Sequence, residues 1–136
     1  MPALLTADTS VTVAASTATL ATHDVAYRAI EGHELRLVDH VLLETYSVLT
    51  RLPAIRLEQE LAAELLRRRF PAAPLSLPTR HRATLIDRLA TAGVVGGAVY
   101  DGLIAATAAH HGAVILSLDH RAARTYEALG ARFRLL

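Results

Sequence analysis

Short apolar runs and stretches with helical spacing follow one another along the whole chain. Ala3 to Ala7 is a short apolar run closed by Asp8, and AVILSL, Ala113 to Leu118, is a second run, largely β-branched, closed by Asp119. Apolar residues at consecutive positions predict a central parallel strand, because alternation disappears when both faces are covered. Glu34–Val38 alternates enough to predict another short strand, PAAPLSLP reads as turns around a brief extended piece, and Arg132–Leu136 predicts an edge strand. Helices are predicted over Val11–Ala15, Asp24–Glu31, His40–Leu52, Leu57–Arg69, Thr79–Ala92 and Ala122–Leu129, with Asp39 and Thr79 as N-caps and Gly32 and Gly130 as stops. Strands alternating with helices predict a parallel sheet with helices on both faces.

The helical faces can be assigned by spacing. Val41, Thr45, Val48 and Leu52 form one stripe, with Glu44 at its edge. Leu57, Leu61, Leu65 and Leu66 form a second, and Leu85, Ile86 and Leu89 a third. Around AATAA, Ala105 to Ala109, the side chains are small enough for packing on every side, which predicts an internal helix stopped at Gly112.

Two aspartates, Asp8 and Asp119, thus stand directly after predicted strands. In an open α/β sheet, ligands gather beyond the carboxyl ends of the strands. If the two strands are neighbours, both carboxylates share one sheet edge, and like charges that close call for a counter-ion. Each acid also has a structural reading: Asp8 and Asp119 as helix caps, Asp101 as a first-turn acid favoured by the helix dipole. Glu44, beside an apolar stripe, is the hardest to explain as structure.

Composition narrows the chemistry. A chain of 136 residues fits one domain, 1–136, and needs no covalent staple. With no cysteine, thiolate metal sites and disulfides are excluded, which accords with a cytoplasmic protein. The small and apolar N-terminus lacks a basic leader and carries Asp8, so it is not read as a secretory signal, and no run is long enough for a membrane span. Net charge is only +1, so contact with nucleic acid requires locally clustered charge. All fourteen basic residues are arginine, more readily explained by codon bias than by phosphate binding. Arg67, Arg68 and Arg69 read as a solvated helix end that complements the dipole. The seven histidines are scattered without an H-x-x-x-H pair and read as surface or helix-end residues.

Four segments carry a resemblance: ADTSV around Asp8, ETYSVLTRLP from Glu44, GGAVYDGLIAATA around Asp101 and LSLDHRA around Asp119, with YEALGARFRLL closing the chain. In order and local context they resemble the PIN-domain nucleases, and more closely the VapC-type toxins of toxin–antitoxin pairs. Ser117 stands where many relatives have threonine, and Gly102 where alanine is more frequent; glycine there is expected to loosen the first helical turn by about 1 kcal/mol. The resemblance implies a three-layer α/β/α PIN-like domain with a central, mostly parallel sheet. It also implies a Mg²⁺- or Mn²⁺-dependent endoribonuclease that leaves a 5′-phosphate and a 3′-hydroxyl, restrains translation, forms a homodimer and is neutralised by a VapB-type antitoxin.

Carboxylates from separate elements suit hard divalent ions, and such ions can activate water and clamp the oxygens of a phosphodiester. Asp8 and Asp101 are the expected direct ligands. Glu44 and Asp119 would complete the pocket through water or a second ion, with Ser10 and Ser117 orienting the carboxylates. Two other readings remain open at this point: a PIN-like scaffold that binds RNA or a partner without cutting, and a metal-dependent phosphatase. The second normally needs a D-x-D context, whereas Asp8 is followed by Thr9 and Ser10.

Overall fold

A computed structural model describes residues 2–136. The elements run β1 (Leu4–Ala7), α1 (Thr9–Ser16), α2 (His23–Ile30), α3 (Asp39–Arg51), α4 (Gln59–Arg69), α5 (Thr79–Thr91), α6 (Ala98–His111), β2 (Ala113–Ser117), α7 (Ala122–Ala128) and β3 (Arg132–Leu135). The sheet has the order β1-β2-β3 and is parallel throughout, so the α/β class expected from the sequence is the one observed. Ile115 and Leu116 point to opposite faces of β2, yet both are fully buried, so the central strand is covered on both sides. Each such side chain contributes about 1.5–3 kcal/mol by leaving water. Helix α6 supplies one cover: Ala105, Ala106 and Ala108 are buried, and their small size lets its backbone approach its neighbours.

Glu34–Val38 forms no regular strand. Among the described residues its one β-bridge is isolated, joining Val38 to Leu75. One backbone bond from Arg36 to the Leu5 carbonyl, at 3.2 Å, ties it beside β1. Leu35, Leu37 and Val38 are all buried, so burial, without a continuous ladder, holds the segment.

Three predicted faces need correction. On α3 the buried residues are Val41, Thr45 and Leu49, while Leu52 is exposed, so the stripe runs one position away from the predicted Val48. On α4, Ala62 and Leu66 are buried and Leu61 faces solvent; on α5, Leu85 and Leu89 are buried and Ile86 is exposed. In each case the helix carries apolar residues on more than one side, and the packing partner selects among them. The predicted caps shift as well. Asp39 and Thr79 are the first residues of their helices, with no side-chain cap bond at Val38 or Pro78. Asp39 instead accepts from the His40 N–H at 2.8 Å and the Ser76 hydroxyl at 2.8 Å. Among the described residues no helix is long and apolar enough to cross a membrane.

Candidate active site

Parallel register brings the carboxyl ends of β1 and β2 together: Ala7 lies opposite Leu116, and the Asp8 N–H donates to the Leu116 carbonyl at 3.1 Å. Asp8 and Asp119 therefore leave the sheet at the same edge. Asp8 caps α1, the structural role open to it from sequence, by accepting from the Ser10 N–H at 3.1 Å. Its carboxylate does more than cap. Oδ1 also accepts from the Ser10 hydroxyl, while Oδ2 accepts from the Ser117 hydroxyl and from the Tyr126 hydroxyl at 2.7 Å. Four donors thus converge on a side chain only 4% exposed. The serines are fixed in turn, Ser10 Oγ by the Leu118 N–H at 2.9 Å and Ser117 Oγ by the Asp119 N–H at 3.0 Å. Ser10 and Ser117 hence make contacts of the orienting kind expected of them.

Tyr126 was not singled out by sequence reasoning. Ala122 and Tyr126 on α7, and Leu129 just beyond it, are buried at helical spacing, so its burial was legible, but the target of its hydroxyl was not. Burial, and then the Asp8 charge, hold that hydroxyl far above the usual phenol range, so it remains a proton donor.

Asp101 lies in the first turn of α6 and is half-buried. Burial, followed by repulsion from Asp119, Asp8 and Glu44, pushes its carboxyl up to about 6, with no donor offsetting them. Glu44, on α3, reaches His40 on the same helix, with Oε1 3.0 Å from Nε2. The His40 ring stacks on Tyr100 with centroids 5.1 Å apart and planes 2° from parallel, so this histidine is more than the surface residue expected. Asp119 accepts from the Arg121 N–H at 2.9 Å, shaping the turn into α7.

All four acids line one cleft of about 120 Å³, together with Thr9, Ser10 and Ile104. Thr9 Oγ1 is buried there without a hydrogen-bond partner among the described residues. The donors are oxygens only, which suits a hard divalent cation. Among the described residues no three acidic or imidazole side chains already close around an ion position. Uncompensated charge at Asp101 is what a cation bound there would offset.

The remaining polar clusters have other roles. His81, His110 and His111 neighbour one another at the opposite end of α6, with ring centroids 4.8 and 4.9 Å apart in succession. Arg67 and Arg68 both pair with Glu64 at 2.9 Å, and Arg69 lies over the Tyr27 ring, 5.1 Å from its centroid.

An acidic cleft beyond the carboxyl ends of a parallel sheet defines an α/β protein with its candidate site where such folds gather ligands. The chain belongs to the PIN-domain family: the family described as "PIN domain" matches residues 6–128. It is 45% identical over 127 residues to "Ribonuclease VapC27" of Mycobacterium tuberculosis, covering 93% of this chain and 92% of that protein. It is also 37% identical over 134 residues to "Ribonuclease VapC40" of the same species, covering 98% of this chain and 99% of that one. PIN nucleases are metal-dependent phosphodiester hydrolases. The family expected from the four acidic segments is therefore the one to which the chain belongs.

Proposed function

We propose that this protein is a VapC-type endoribonuclease toxin, cytoplasmic, cleaving RNA with Mg²⁺ or Mn²⁺ held by Asp8, Glu44, Asp101 and Asp119. The observation that carries the reading is the convergence of four acids from four parts of the chain on one cleft, where burial and then mutual repulsion raise the Asp101 carboxyl to about 6. When bound, a divalent ion supplies a water ionised near neutral pH and a counter-charge for the phosphodiester oxygens.

The chain's own residues divide the remaining work. Asp101 gains most from a cation, since nothing else neutralises it. Asp8, already holding four hydrogen bonds, is the fixed point of the site; to ligate directly it must share an oxygen with one of its donors. Glu44 and Asp119 face the cleft from the other walls and would hold ion-bound water in line with the phosphate.

A VapB-type antitoxin and a second copy of the chain complete the proposed assembly. Leu43 and Leu61 are 71% and 53% exposed on α3 and α4. Beside them a groove of about 290 Å³ is lined by Leu42, Tyr46, Leu66 and Phe70, the apolar kind of surface such contacts use. The test is a calorimetric titration of Mn²⁺ into the purified protein beside Asp8→Asn and Asp101→Asn, followed by cleavage of RNA. Binding by the parent that is weakened in both folded variants, with cleavage dependent on the ion, is the expected result. A folded parent that binds no Mn²⁺ at millimolar concentration and cuts no RNA would overturn it.

A further inference from the structure

Next to the acidic cleft lies a larger cavity of about 450 Å³, lined by Gly93, Val94, Val95 and Ala98 on one side and by His120, Arg121, Arg124 and Thr125 on the other. The two cavities are lined by neighbouring residues of the same segments. Asp119 lines the acidic one and His120 and Arg121, the next residues in the chain, line the basic one. Likewise Ala98 and Asp101 are one turn apart on α6, about 4.5 Å along its axis. No acidic side chain lines the basic cavity among the described residues. Arg121 and Arg124 enter no ion pair there either, in contrast to Arg67 and Arg68, whose charge Glu64 absorbs. Their spacing of three places both guanidinium groups on one side of the chain as it enters α7.

We infer that this cavity is a phosphate subsite for the RNA backbone, in which Arg121 and Arg124 hold the phosphate next to the one delivered to the acids. This rests on the ribonuclease reading above and adds to it the groups that bring a polyanion to a site of its own sign. Four carboxylates repel RNA, and a chain of net charge +1 has no general field to offset that. Local cations must do so. Guanidinium groups suit phosphate because they can donate two parallel hydrogen bonds to it. Contacts of this kind carry no base information, so the subsite sets affinity and register while leaving sequence preference to other surfaces.

The test uses a randomised single-stranded RNA pool and the intact protein in EDTA, so that no divalent ion contributes to binding. Arg121→Ala/Arg124→Ala is expected to weaken binding by about tenfold and to flatten the dependence of log K on log salt by about 0.7, the equivalent of one phosphate contact on a single strand. Arg121→Lys/Arg124→Lys should restore most of that slope, which a merely structural role would not do. Mn²⁺ affinity by calorimetry should be unchanged in both variants, and with Mn²⁺ the alanine variant should show raised KM against a nearly constant kcat. Equal affinity and slope in parent and folded alanine variant would overturn the subsite while leaving the nuclease reading standing. A parent that binds no pool RNA in EDTA also overturns it; failure to cut the same pool with Mn²⁺ would then take the nuclease reading down as well.

Discussion

The two walls of the acidic cleft are built on opposite principles. On the strand side, Asp8 is 4% exposed and receives four hydrogen bonds from Ser10, Ser117 and Tyr126, so its charge is answered by the fold itself. On the helix side, Asp101 has burial and three like charges against it. One wall is complete without a ligand, and the other is left in deficit. The difference teaches where stability ends and ligand affinity begins: Asp8 holds the site in shape, and Asp101 is where the cation of the proposed function would have most to contribute.

The sharpest way to break that comparison is to remove the two charges separately. Asp8→Asn places an amide where three side chains donate, so at least one hydroxyl loses its acceptor. We expect it to lose stability by about 2–3 kcal/mol, the range for hydrogen bonds to a charged group. Asp101→Asn removes a carboxylate whose ionisation the fold opposes, and should gain about 1 kcal/mol at neutral pH once solvent screening is allowed for. Both should lose at least about a hundredfold in RNA cleavage. Denaturant unfolding read beside the cleavage rate separates them, and equal destabilisation by both would erase the distinction between the walls.

How much of this was legible beforehand depended on what each residue needed. Asp8 and Asp119 could be placed because a strand's end and its parallel partner fix a residue's position with no knowledge of side-chain packing. Ser10 and Ser117 followed from them by proximity. Tyr126 could not, since its hydroxyl finds Asp8 only after α7 folds back across the sheet, a contact over 118 positions. The faces of α3 and α5 failed at Val48 and Ile86 for a related reason: apolar residues on adjacent positions leave the phase of a helix undetermined until a neighbour chooses it. Glu34–Val38 had the alternation of a strand but only one bridge partner, and pairing is not written in a segment's own pattern.

Tyr126→Phe tests the strand-side wall more gently. The ring stays packed against Phe133, whose centroid is 5.8 Å away, and only the bond to Asp8 is lost. The expected loss is about 1–2 kcal/mol, with a fall in cleavage of about tenfold as Asp8 gains freedom. Unfolding midpoints and initial rates measured on the same preparation check both. An unchanged rate would mean that the serines alone suffice to orient the carboxylate.

The helix-side wall should announce itself through pH. The Asp101 carboxyl lies at about 6 in the folded state against 3.8 as its ordinary value, so between those values the folded chain binds more protons than the unfolded one. Its contribution to stability is therefore full below about 4 and is lost as pH rises through 6, an effect of about 1 kcal/mol after screening. Mn²⁺ affinity should move the other way, rising over the same window as the competing proton leaves. The difference between parent and Asp101→Asn, taken from denaturation at a series of pH values, isolates this group from the other acids. Saturating Mn²⁺ should abolish it, and a flat difference would mean that Asp101 meets more water than its position suggests.

Gly102 gives the smallest effect and tests whether α6 is positioned by packing. From sequence, glycine beside Asp101 is expected to loosen the helix. In the fold, a Cβ at this position would collide with Leu89 Cδ2 and lie 3.9 Å from Thr125 Cγ2, so the absent side chain is what lets α6 approach α5 closely. Gly102→Ala gains about 1 kcal/mol of helix propensity and meets an overpacking cost of about 1–3 kcal/mol, since Leu89 is itself buried. The net expectation is a loss of about 1 kcal/mol and a cleavage rate lowered a few-fold as Asp101 is displaced with its turn. Repeating the substitution in a Leu89→Ala background removes the clash and should turn the loss into a gain, a coupling of about 1 kcal/mol or more readable by denaturation. A Gly102→Ala protein that is more stable than the parent without that second change would show instead that the first turn of α6 yields easily, and that the position of Asp101 is set by the acids around it.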